Sequence, residues 1–595
     1  MSDKVFGSPL RKKIIFSVLT IIFASFIFQL LKMQIIEQKS YEKRSINNSI
    51  KRKVINSPRG IFFDRNFSVL ISNKPSYTVE ITPAIYDTSK QKIIENILHE
   101  EPNYITKLLH KKRIYSKHLP RVIKRNVPLN EVVWFEEHEE EIPGVKISVE
   151  MQRDYSFGIN GSHLFGYLRE INAKQLRARK DIYNMGDFIG IKGIERIYEE
   201  SLRGKNGYQY ILVDSRRKTI GRYLEGENDK KPIKGNDLLL TIDYATQKVA
   251  EKKFAKHRGS LIAIEPSTGE ILAFVSAPQF NLEDFASVTS RKAIVALSND
   301  ENKPLFNRAS KSIYPPGSTY KMIAALAALE EGIITKDYSV NCKWGYQYGN
   351  RFFRCTHKHN WTNLISSIEE SCNTYYYQLI LEIGLDRWAK YGRMFGFGKK
   401  TNFDLENESP GIVPDTEYYN RVYGKNKWSK GTLLSLGIGQ GELSVTTLQM
   451  AQYISLLANF GKTKTPHIVK AYLEGNQNKA ITLTFDDVTV DIKKKNFDII
   501  REGMYKVVNG KEGTADNIKL ANIAIAGKTG TSQNPHGKDH ALFIGFAPFD
   551  NPKIAIVVLV ENVGFGSTYA APIARDVIKT YLEQFDENNF TAFNN

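Results

Sequence analysis

Cysteine is scarce in this sequence, and its three occurrences among 595 residues all fall between Cys342 and Cys372. These side chains have three interpretations, namely buried packing, a disulfide with one thiol left over, or a metal site. A compact basic motif interleaved with aromatic residues is also missing, so nucleic acid is not an expected partner although the net charge is +19. The positive charge suits work near acidic polymers or anionic lipids, or it reflects a general use of lysine.

Only one uncharged run is long enough to cross a membrane, from Ile14 to Leu31, and "KMQII" extends it. A transmembrane helix needs about 20 residues. A cleaved signal peptide is the alternative, but the run exceeds a usual signal core and no small-x-small cleavage site follows. Because more positive charge precedes the run than follows it closely, we expect residues 1–13 in the cytoplasm, an anchor at 14–36 and the remaining chain outside.

The length of the chain predicts two or three folded units. A charged linker, "ENDKKPIKGND", runs into an apolar strand-like segment, and we place a domain boundary there. The part of the chain outside the membrane then consists of a membrane-proximal domain at 37–235, a second domain at 236–585 and a flexible tail at 586–595.

Apolar runs and turn residues predict the secondary structure. "SLIAIEPSTGEILAFVS", from Ser260, and "ALFIGFAPFDNPKIAIVVLVEN", from Ala541, are each typical of two strands around a turn. Helical patterns lie between them, around 318–332 and 443–458, and residues 90–145 of the first domain also look helical. Strands at both ends with helices between them indicate an α+β fold, with a central antiparallel sheet flanked by helices.

A serine followed three residues later by lysine is a common chance pattern, and one of these pairs has a distinctive context. Ser318 and Lys321 lie in "YPPGSTYKMIAALAALEEG", where Pro-Pro-Gly marks the entry to an apolar helix. The lysine shares a helix face with the serine, and burial among apolar residues favours its neutral form, which suits a base. Taken alone, a capping serine and a solvated lysine explain the pair more simply. The other pairs, in polar surroundings that indicate protein surface, are Ser40–Lys43, Ser89–Lys92 and Ser215–Lys218.

Two further motifs supply groups that such a nucleophile needs. Ser371 and Asn373 follow the helical pattern "LISSIEES" and offer a hydroxyl for proton relay and an amide for holding a substrate. The last motif follows an apolar, strand-like run and comprises Lys528, Thr529, Gly530 and Thr531. A cation and a hydroxyl there can hold a carboxylate, the glycine lets substrate backbone approach closely, and nearby N–H groups can stabilise an oxyanion.

Ser-x-x-Lys, Ser-x-Asn and Lys-Thr-Gly in this order are the motif set of serine β-lactamases and penicillin-binding proteins. The chain resembles a class B penicillin-binding protein over nearly its whole length. "SPRGIFFDRN", "HLFGYLREI" and "GIERIYEESLRG" are similar to the family's membrane-proximal region, and "YPPGSTYKM", "SCNTYYYQ", "GIGQGELSVTTLQMAQ" and "GKTGTSQ" are similar to its catalytic domain. Pro-Pro before Gly317 and the "GIGQG" segment are most similar to penicillin-binding protein 2, the enzyme of cell elongation.

The resemblance implies an elongated, dimerisation-like pedestal followed by a transpeptidase domain. It implies that Ser318, deprotonated by Lys321, attacks the penultimate D-Ala carbonyl of a peptidoglycan stem, and that β-lactams acylate the same serine. Ser371 and Asn373 would relay protons and hold substrate, and the N–H groups of Ser318 and Thr531 would form an oxyanion hole. The residues implied to bind the substrate carboxylate are Lys528, Thr529 and Thr531.

The resemblance also implies partners and a location. The substrates would be peptidoglycan stem peptides, supplied on a lipid-linked precursor. The protein partners would be a membrane glycosyltransferase of the SEDS type (RodA) and an MreC-type scaffold. The anchor would lie in the inner membrane with the catalytic domain in the periplasm, and no organic cofactor is expected.

The spacing Cys342-x12-Cys355-x3-His359-x12-Cys372 offers three thiolates and an imidazole, a ligand set that suits tetrahedral zinc. A disulfide with an odd cysteine, or three buried thiols, stay open as alternatives, and His357 is a competing imidazole. Some penicillin-binding protein 2 members bind zinc through carboxylate, histidine and cysteine ligands in this insert, so the resemblance implies that cysteines replace the carboxylates here. We therefore expect a structural zinc that fastens the insert beside the Ser-x-Asn motif.

Three rival functions compete with an elongation transpeptidase. They are a septal transpeptidase of the same class, a hydrolase such as a β-lactamase or D,D-carboxypeptidase, and a non-enzymatic β-lactam sensor or scaffold. The large membrane-proximal region argues against a simple hydrolase, although a minor carboxypeptidase activity is compatible with a transpeptidase. Intact Ser318, Lys321 and Lys528 argue against an inactive scaffold, and the short predicted tail leaves no room for a signalling module.

Overall fold

The structure is a computed structural model, and its helices alternate with strands along most of the chain. It describes residues 9–39, 49–111, 117–118, 120–184, 186–214, 219–286, 291–405, 407–425, 427–474 and 479–592. The helices are α1 (Pro9–Leu31), α2 (Gln91–Ile97), α3 (Tyr104–Lys111), α4 (Leu129–Glu137), α5 (Ser162–Phe165), α6 (Ala173–Ala178), α7 (Gly193–Ile197), α8 (Glu199–Leu202), α9 (Tyr244–Phe254), α10 (Arg291–Asn299), α11 (Arg308–Lys311), α12 (Lys321–Glu330), α13 (Leu364–Glu369), α14 (Asn373–Ile383), α15 (Leu385–Met394), α16 (Thr416–Tyr423), α17 (Thr432–Gly437), α18 (Thr447–Ala458), α19 (Lys494–Asn509) and α20 (Ala570–Ala592).

The strands group into several separate sheets. In chain order they are β1 (Ile50–Ile55), β2 (Phe62–Phe63), β3 (Val69–Ile81), β4 (Arg121–Arg125), β5 (Val145–Asp154), β6 (Leu168–Glu170), β7 (Phe188–Gly190), β8 (Gly207–Val213), β9 (Thr219–Arg222), β10 (Asp237–Leu240), β11 (Gly259–Ile264), β12 (Ile271–Ala277), β13 (Val340–Cys342), β14 (Gly345–Tyr348), β15 (Arg351–Arg354), β16 (Asn360–Thr362), β17 (Lys462–Lys464), β18 (Val469–Glu474), β19 (Lys479–Thr482), β20 (Asp487–Thr489), β21 (Ala526–Ser532), β22 (His540–Ala547) and β23 (Ile554–Val560).

Helix α1 carries apolar side chains on every side. With its continuation to Ile36 it forms a helix of 28 residues that is long and apolar enough to cross a membrane, and 0% of its most apolar window is buried inside the protein. A helix that is apolar all round is stable in lipid, where its backbone groups are satisfied within the helix. The helix is therefore consistent with the predicted single-pass anchor.

The chain forms two compact units. The first comprises Met1–Pro58 and Gly204–Lys234, and its sheet has the order β1-β8-β9. Both pairings are antiparallel, and Val54 lies opposite Tyr208. Strand β8 begins at Gly207, directly after the glycine-containing segment "GKN".

The second unit comprises Arg59–Arg203 and Gly235–Asn595. One of its sheets has the order β19-β18-β10-β2-β3-β4, with β5 also paired to β3. Strands β2 and β10 are parallel, and Phe62 lies opposite Leu238. Strands from both sides of the boundary placed at residue 236 thus share a sheet, and the domain limits inferred from the sequence stay predictions.

The region 90–145 differs from its predicted helical structure. Helices α2, α3 and α4 do lie there, but strand β4 interrupts them and pairs with β3. The prediction of an all-helical segment was therefore wrong for β4. Its side chains alternate between more and less buried positions, as the period of two in a strand requires, but five residues are too few for this pattern to be recognised in the sequence.

The sheet at the centre of the second unit has the order β12-β11-β23-β22-β21, and every pairing in it is antiparallel. Strands β11, β12 and β23 are buried along their whole length. Helices α9, α18 and α20 pack against the sheet. The two predicted hairpins, β11–β12 and β22–β23, and the α+β architecture are confirmed.

Residues 340–362 form a nested pair of hairpins, here termed the insert. Strand β13 pairs with β16, and between them β14 pairs with β15. The four strands are three or four residues long, which is too short to enclose an apolar core of their own.

Candidate active site and cysteine cluster

Ser318 lies in a tight 3₁₀ turn, Gly317–Tyr320, which leads directly into helix α12. Gly317 has a φ of +56°, and a Cβ atom there would lie 2.6 Å from the carbonyl oxygen of Thr531. Only glycine allows both the left-handed backbone and this approach without strain. The turn therefore places Ser318 directly beside strand β21, with its side chain half-buried.

Lys321 is the first residue of α12, and it is fully buried. Its Nζ atom donates hydrogen bonds to the Ser371 carbonyl oxygen at 2.8 Å, the Ser371 Oγ atom at 3.3 Å and the Asn373 Oδ1 atom at 2.8 Å. Burial lowers the pKa of Lys321 to about 8, against an opposing effect of the nearby Cys355 and Cys372. A substantial fraction of this lysine is therefore neutral near physiological pH.

The Ser-x-Asn motif occupies a sharp turn between helices α13 and α14. Ser371 has a φ of +58°, in the left-handed region. The turn points the Ser371 carbonyl and the Asn373 side chain at the same lysine ammonium. Among the described residues, the Ser318 hydroxyl has no hydrogen bond to Lys321, a separation that free enzymes often show before substrate binds.

Strand β21 carries the third motif, and it is the edge strand of the central sheet. Lys528 is fully buried, and burial followed by the charge of Lys321 lowers its pKa well below the ordinary value. The Thr529 hydroxyl lies 2.9 Å from the hydroxyl of Thr514. A Cβ atom on Gly530 would lie 2.8 Å from the Thr319 side chain, so this glycine keeps the strand against the serine turn.

Two residues that were not among the predicted site residues complete this junction. The Gln440 Nε2 atom donates to the Thr531 carbonyl oxygen at 2.9 Å, and the Gly439 carbonyl accepts from the Gly317 N–H at 2.8 Å. Both belong to "GIGQG", whose paired glycines were the available signal. The structure thus brings all three motifs together around one buried lysine pair.

Three cysteines and one histidine form a second cluster. Their ligand atoms all lie within 4.8 Å of one another, and the members are Cys342, Cys355, His359 and Cys372. His359 Nδ1 lies 3.5 Å from the sulfurs of Cys342 and Cys355, and the Cys355 and Cys372 sulfurs are 4.0 Å apart. His357 lies outside the cluster.

These distances match the edges of a tetrahedral zinc site. Zn–S and Zn–N bonds of about 2.3 and 2.1 Å require S···S edges of about 3.8 Å and S···N edges of about 3.6 Å. All three cysteines are free thiols, and each is buried. The donor set and these separations are compatible with a bound zinc ion, whereas a disulfide needs two sulfurs at about 2 Å.

Hydrogen bonds connect the cysteine cluster to α14, the helix that carries Asn373. The Asn373 backbone N–H donates to the Cys355 sulfur at 3.1 Å, and the Cys342 thiol donates to the Thr374 hydroxyl oxygen at 3.2 Å. Asn373 and Thr374 both belong to the first turn of α14, where backbone N–H groups such as that of Asn373 have no partner inside the helix. The cluster therefore caps the helix that positions the second motif.

The insert also holds a residue in an unfavourable backbone conformation. Trp344 has a φ of +68°, a region that bulky residues avoid and that costs about 1–3 kcal/mol. Its carbonyl oxygen accepts the Cys355 N–H at 2.8 Å, so the conformation is fixed by the neighbouring strand.

Comparison with family models decides the classification. The penicillin-binding protein transpeptidase domain matches residues 259–579, which contain all three motifs. The penicillin-binding protein dimerisation domain matches residues 54–240. The chain belongs to the penicillin-binding proteins. The resemblance inferred from the sequence is thus confirmed.

Individual relatives place this penicillin-binding protein in the penicillin-binding protein 2 branch. It is 34% identical to the peptidoglycan D,D-transpeptidase MrdA of Acinetobacter baumannii, over 92% of this chain and 84% of that protein. A solved complex between penicillin-binding protein 2 and MreC from Helicobacter pylori is similar, with 29% identity, a TM-score of 0.76 and coverage of 90% of this chain and 100% of that one. A solved peptidoglycan synthase complex that coordinates polymerisation and crosslinking matches with 28% identity, a TM-score of 0.73 and coverage of 95% and 98%.

Proposed function

We propose that this penicillin-binding protein cross-links peptidoglycan stems during cell elongation through an acyl-enzyme on Ser318. One observation carries the proposal: buried Lys321, with a lowered pKa, touches the second motif while its helix starts at the turn that holds Ser318. A neutral amine in this place can take the serine proton, which is the step that a weak nucleophile needs.

The reaction then proceeds in two balanced steps. The Ser318 Oγ atom bonds to the penultimate D-Ala carbonyl carbon, the bond to the terminal D-Ala nitrogen breaks, and Lys321 passes the serine proton to that leaving nitrogen. An amine of a neighbouring stem attacks the resulting ester, forms the 4→3 cross-link and returns a proton to Ser318. Ser371 and Asn373, both bonded to the lysine, relay the proton and hold the substrate amide.

The third motif binds the substrate's terminal carboxylate. Lys528 is buried beside another lysine, so a carboxylate placed there restores its favourable charged state. The hydroxyls of Thr529 and Thr531 add hydrogen bonds, and Gly530 admits the substrate backbone. The N–H groups of Ser318 and Thr531 lie on the two elements that Gly317 brings together, where they can stabilise the oxyanion.

We propose that Cys342, Cys355, His359 and Cys372 hold a structural zinc ion. The support is the match between their separations and tetrahedral edges. Bound zinc supplies a cross-link between the insert and the first turn of α14, and no chemistry on the substrate. The chain's own contribution is the Cys355 sulfur that accepts the Asn373 N–H.

We further propose that helix α1 anchors the protein in the inner membrane, with residues 1–13 in the cytoplasm and the catalytic domain in the periplasm. The basic residues before the apolar run support this orientation. The similar complexes with MreC and within a peptidoglycan synthase support an MreC-type scaffold and a RodA-type glycosyltransferase as partners. Lipid-linked precursor supplies the stems.

A covalent labelling experiment tests the reaction. Full-length protein in detergent is incubated with fluorescent penicillin beside Ser318→Ala and Ser89→Ala, the second a serine of a chance Ser-x-x-Lys pair. We expect stable label on the wild type and on Ser89→Ala, and none on Ser318→Ala. Absence of label on the wild type refutes acyl transfer, and rapid loss of label identifies a hydrolase instead.

Elemental analysis tests the metal. Protein prepared without chelator should contain about one zinc per chain, and His359→Ala should lose it while His357→Ala keeps it. Zinc-free wild type, or equal loss in both histidine variants, would remove the metal site.

A further inference from the structure

The insert carries exposed aromatic rings among positive charges. Its large exposed rings are Trp344, Phe352 and Trp361, with 57%, 47% and 73% of their surface accessible. We call these three residues the aromatic face. The segment from Cys342 to Thr362 contains no aspartate or glutamate, and its exposed cations are Lys343, Arg351, Arg354 and Lys358.

Two of these residues are held by local contacts, Trp344 through its backbone and Phe352 through its ring. Trp344 keeps its left-handed backbone through the hydrogen bond from the Cys355 N–H. The next residue is Gly345, and a Cβ atom there would lie 2.7 Å from the Phe352 ring, so this ring rests on the glycine backbone. Rings that are fixed on one side and accessible on the other lose little freedom on binding a ligand.

The remaining aromatic residues of the insert lie on the opposite face of the β14–β15 hairpin from Phe352. In the β14–β15 pairing Tyr346 lies opposite Phe353, so the two share a face of the hairpin. Phe353 packs on Tyr377 of α14, with the ring centroids 5.6 Å apart. Packing thus accounts for the inner rings and leaves the aromatic face unexplained by the fold. An unfavourable backbone angle that exposes a tryptophan indicates function rather than stability.

We propose that the aromatic face binds the sugar chain of the peptidoglycan strand whose stem is being cross-linked, and that Arg354, which shares the hairpin face of Phe352, binds stem carboxylates together with the exposed lysines of the insert. Sugar rings present flat C–H faces that stack on aromatic rings, and the strand's peptides supply negative charge to an insert that has none. Cys355 links Trp344 to the second motif, because its N–H donates to the Trp344 carbonyl oxygen and its sulfur accepts the Asn373 N–H. The inference rests on the proposed function, since it names a second binding region for the same substrate.

A binding experiment tests the inference with full-length protein in detergent. The probe is a fluorescent, uncross-linked glycan strand that carries pentapeptide stems, and anisotropy gives its Kd. Trp344→Asn removes the ring but tolerates the left-handed backbone, because asparagine adopts it readily. We expect this variant, and likewise Trp361→Ser, to bind the strand about tenfold more weakly. The thermal midpoint of Trp344→Asn should stay level or rise, which a merely structural role would not produce.

Phe67→Asn is the matched control. Phe67 is also an aromatic residue with a left-handed φ, +64°, and it is 60% exposed, but it lies outside the insert. Its substitution should leave the strand Kd unchanged. Penicillin acylation is measured on every protein, so failure of the wild type to acylate refutes the proposed function and not this inference.

Three results would overturn the inference. The first is a strand Kd that Trp344→Asn and Trp361→Ser leave within twofold of the wild type. The second is equal competition by free pentapeptide stem, which has no sugar. The third is tighter binding of a single-stranded oligonucleotide, which would identify the aromatic face as a nucleic-acid platform.

Discussion

Helix α12 and the insert hold catalytic geometry in opposite ways. From Lys321 to Ala328 every residue of α12 is buried, so the position of the lysine follows from close packing on all sides. The insert has short strands, exposed rings and no core of its own, and three of its side chains form the cysteine cluster with Cys372, which in our proposal holds a zinc ion in place of the missing packing. Small units that cannot bury enough apolar surface need such cross-links. In this proposal the position of Lys321 depends on close packing around α12, whereas the position of its partner Asn373 depends on the cysteine cluster.

Substitution of Lys321 itself should have the largest effect on acylation. Lys321→Met keeps the volume and apolar contacts of α12 but removes the base, so penicillin acylation should fall by about a thousandfold or more. The thermal midpoint should change little, because the relief of burying an amine opposes the loss of its hydrogen bonds to Ser371 and Asn373. Stopped-flow acylation and thermal unfolding measure the two effects, and an acylation rate within tenfold of the wild type would contradict the assigned role.

The pH profile gives the next effect. The neutral amine is the active form, and burial lowers the pKa of Lys321 to about 8, so protonation removes the base as the pH falls. Acylation should therefore drop by about fiftyfold from pH 8 to pH 6 and level off above about pH 9. An apparent pKa near 10 in the rate profile would show that the lysine is not desolvated in solution.

Loss of one cysteine of the cluster tests how much the insert contributes to the catalytic geometry. Cys355→Ser removes both a metal ligand and the acceptor of the Asn373 N–H, so we expect loss of zinc and acylation slower by about tenfold. Chelation of the wild type should reproduce the effect, and added zinc should reverse it. Unchanged acylation in zinc-free protein would show that packing alone positions the second motif.

The smallest effect is local to the insert. A Cβ atom on Gly345 would lie 2.3 Å from the Phe353 carbonyl oxygen, so Gly345→Ala should destabilise the β14–β15 hairpin by about 1 kcal/mol. Gly349, at the hairpin turn with φ of +56°, has nothing within 4 Å, and Gly349→Asn should be neutral. Hydrogen exchange of the Cys355 N–H reports both variants, and equal protection in the two would contradict the steric argument.

Local patterns made much of this molecule predictable. Long apolar runs with a proline or glycine turn gave the β11–β12 and β22–β23 hairpins, and the apolar run after Lys321 gave α12. The three motifs were recognisable because each combines a reactive residue with its own local context. The family and the α+β fold followed from them.

The rest depends on partners that are distant in the sequence. Strand β4 pairs with β3, which lies about forty residues earlier in the sequence, so the pairing is a long-range contact. The five residues of β4 carry no strong strand pattern of their own. The role of Gln440 depends on its hydrogen bond to the Thr531 carbonyl oxygen, which lies 91 residues away in the sequence. The exposure of Trp344 and Trp361 was equally hidden, since aromatic residues in a sequence more often indicate a core.

The position of β23 in the central sheet has a consequence for synthesis. This strand lies between β11 and β22, yet it is the last of the three to be made. While the chain is still emerging, β11 has only its hairpin partner, and the strand that carries the third motif has no completed sheet to join. A chain cut before Ile554 would contain Ser318, Lys321 and Lys528 but lack the strand that joins the two halves of the sheet. Reactivity with penicillin should therefore appear only after β23 has been translated, near the end of synthesis and in a single step.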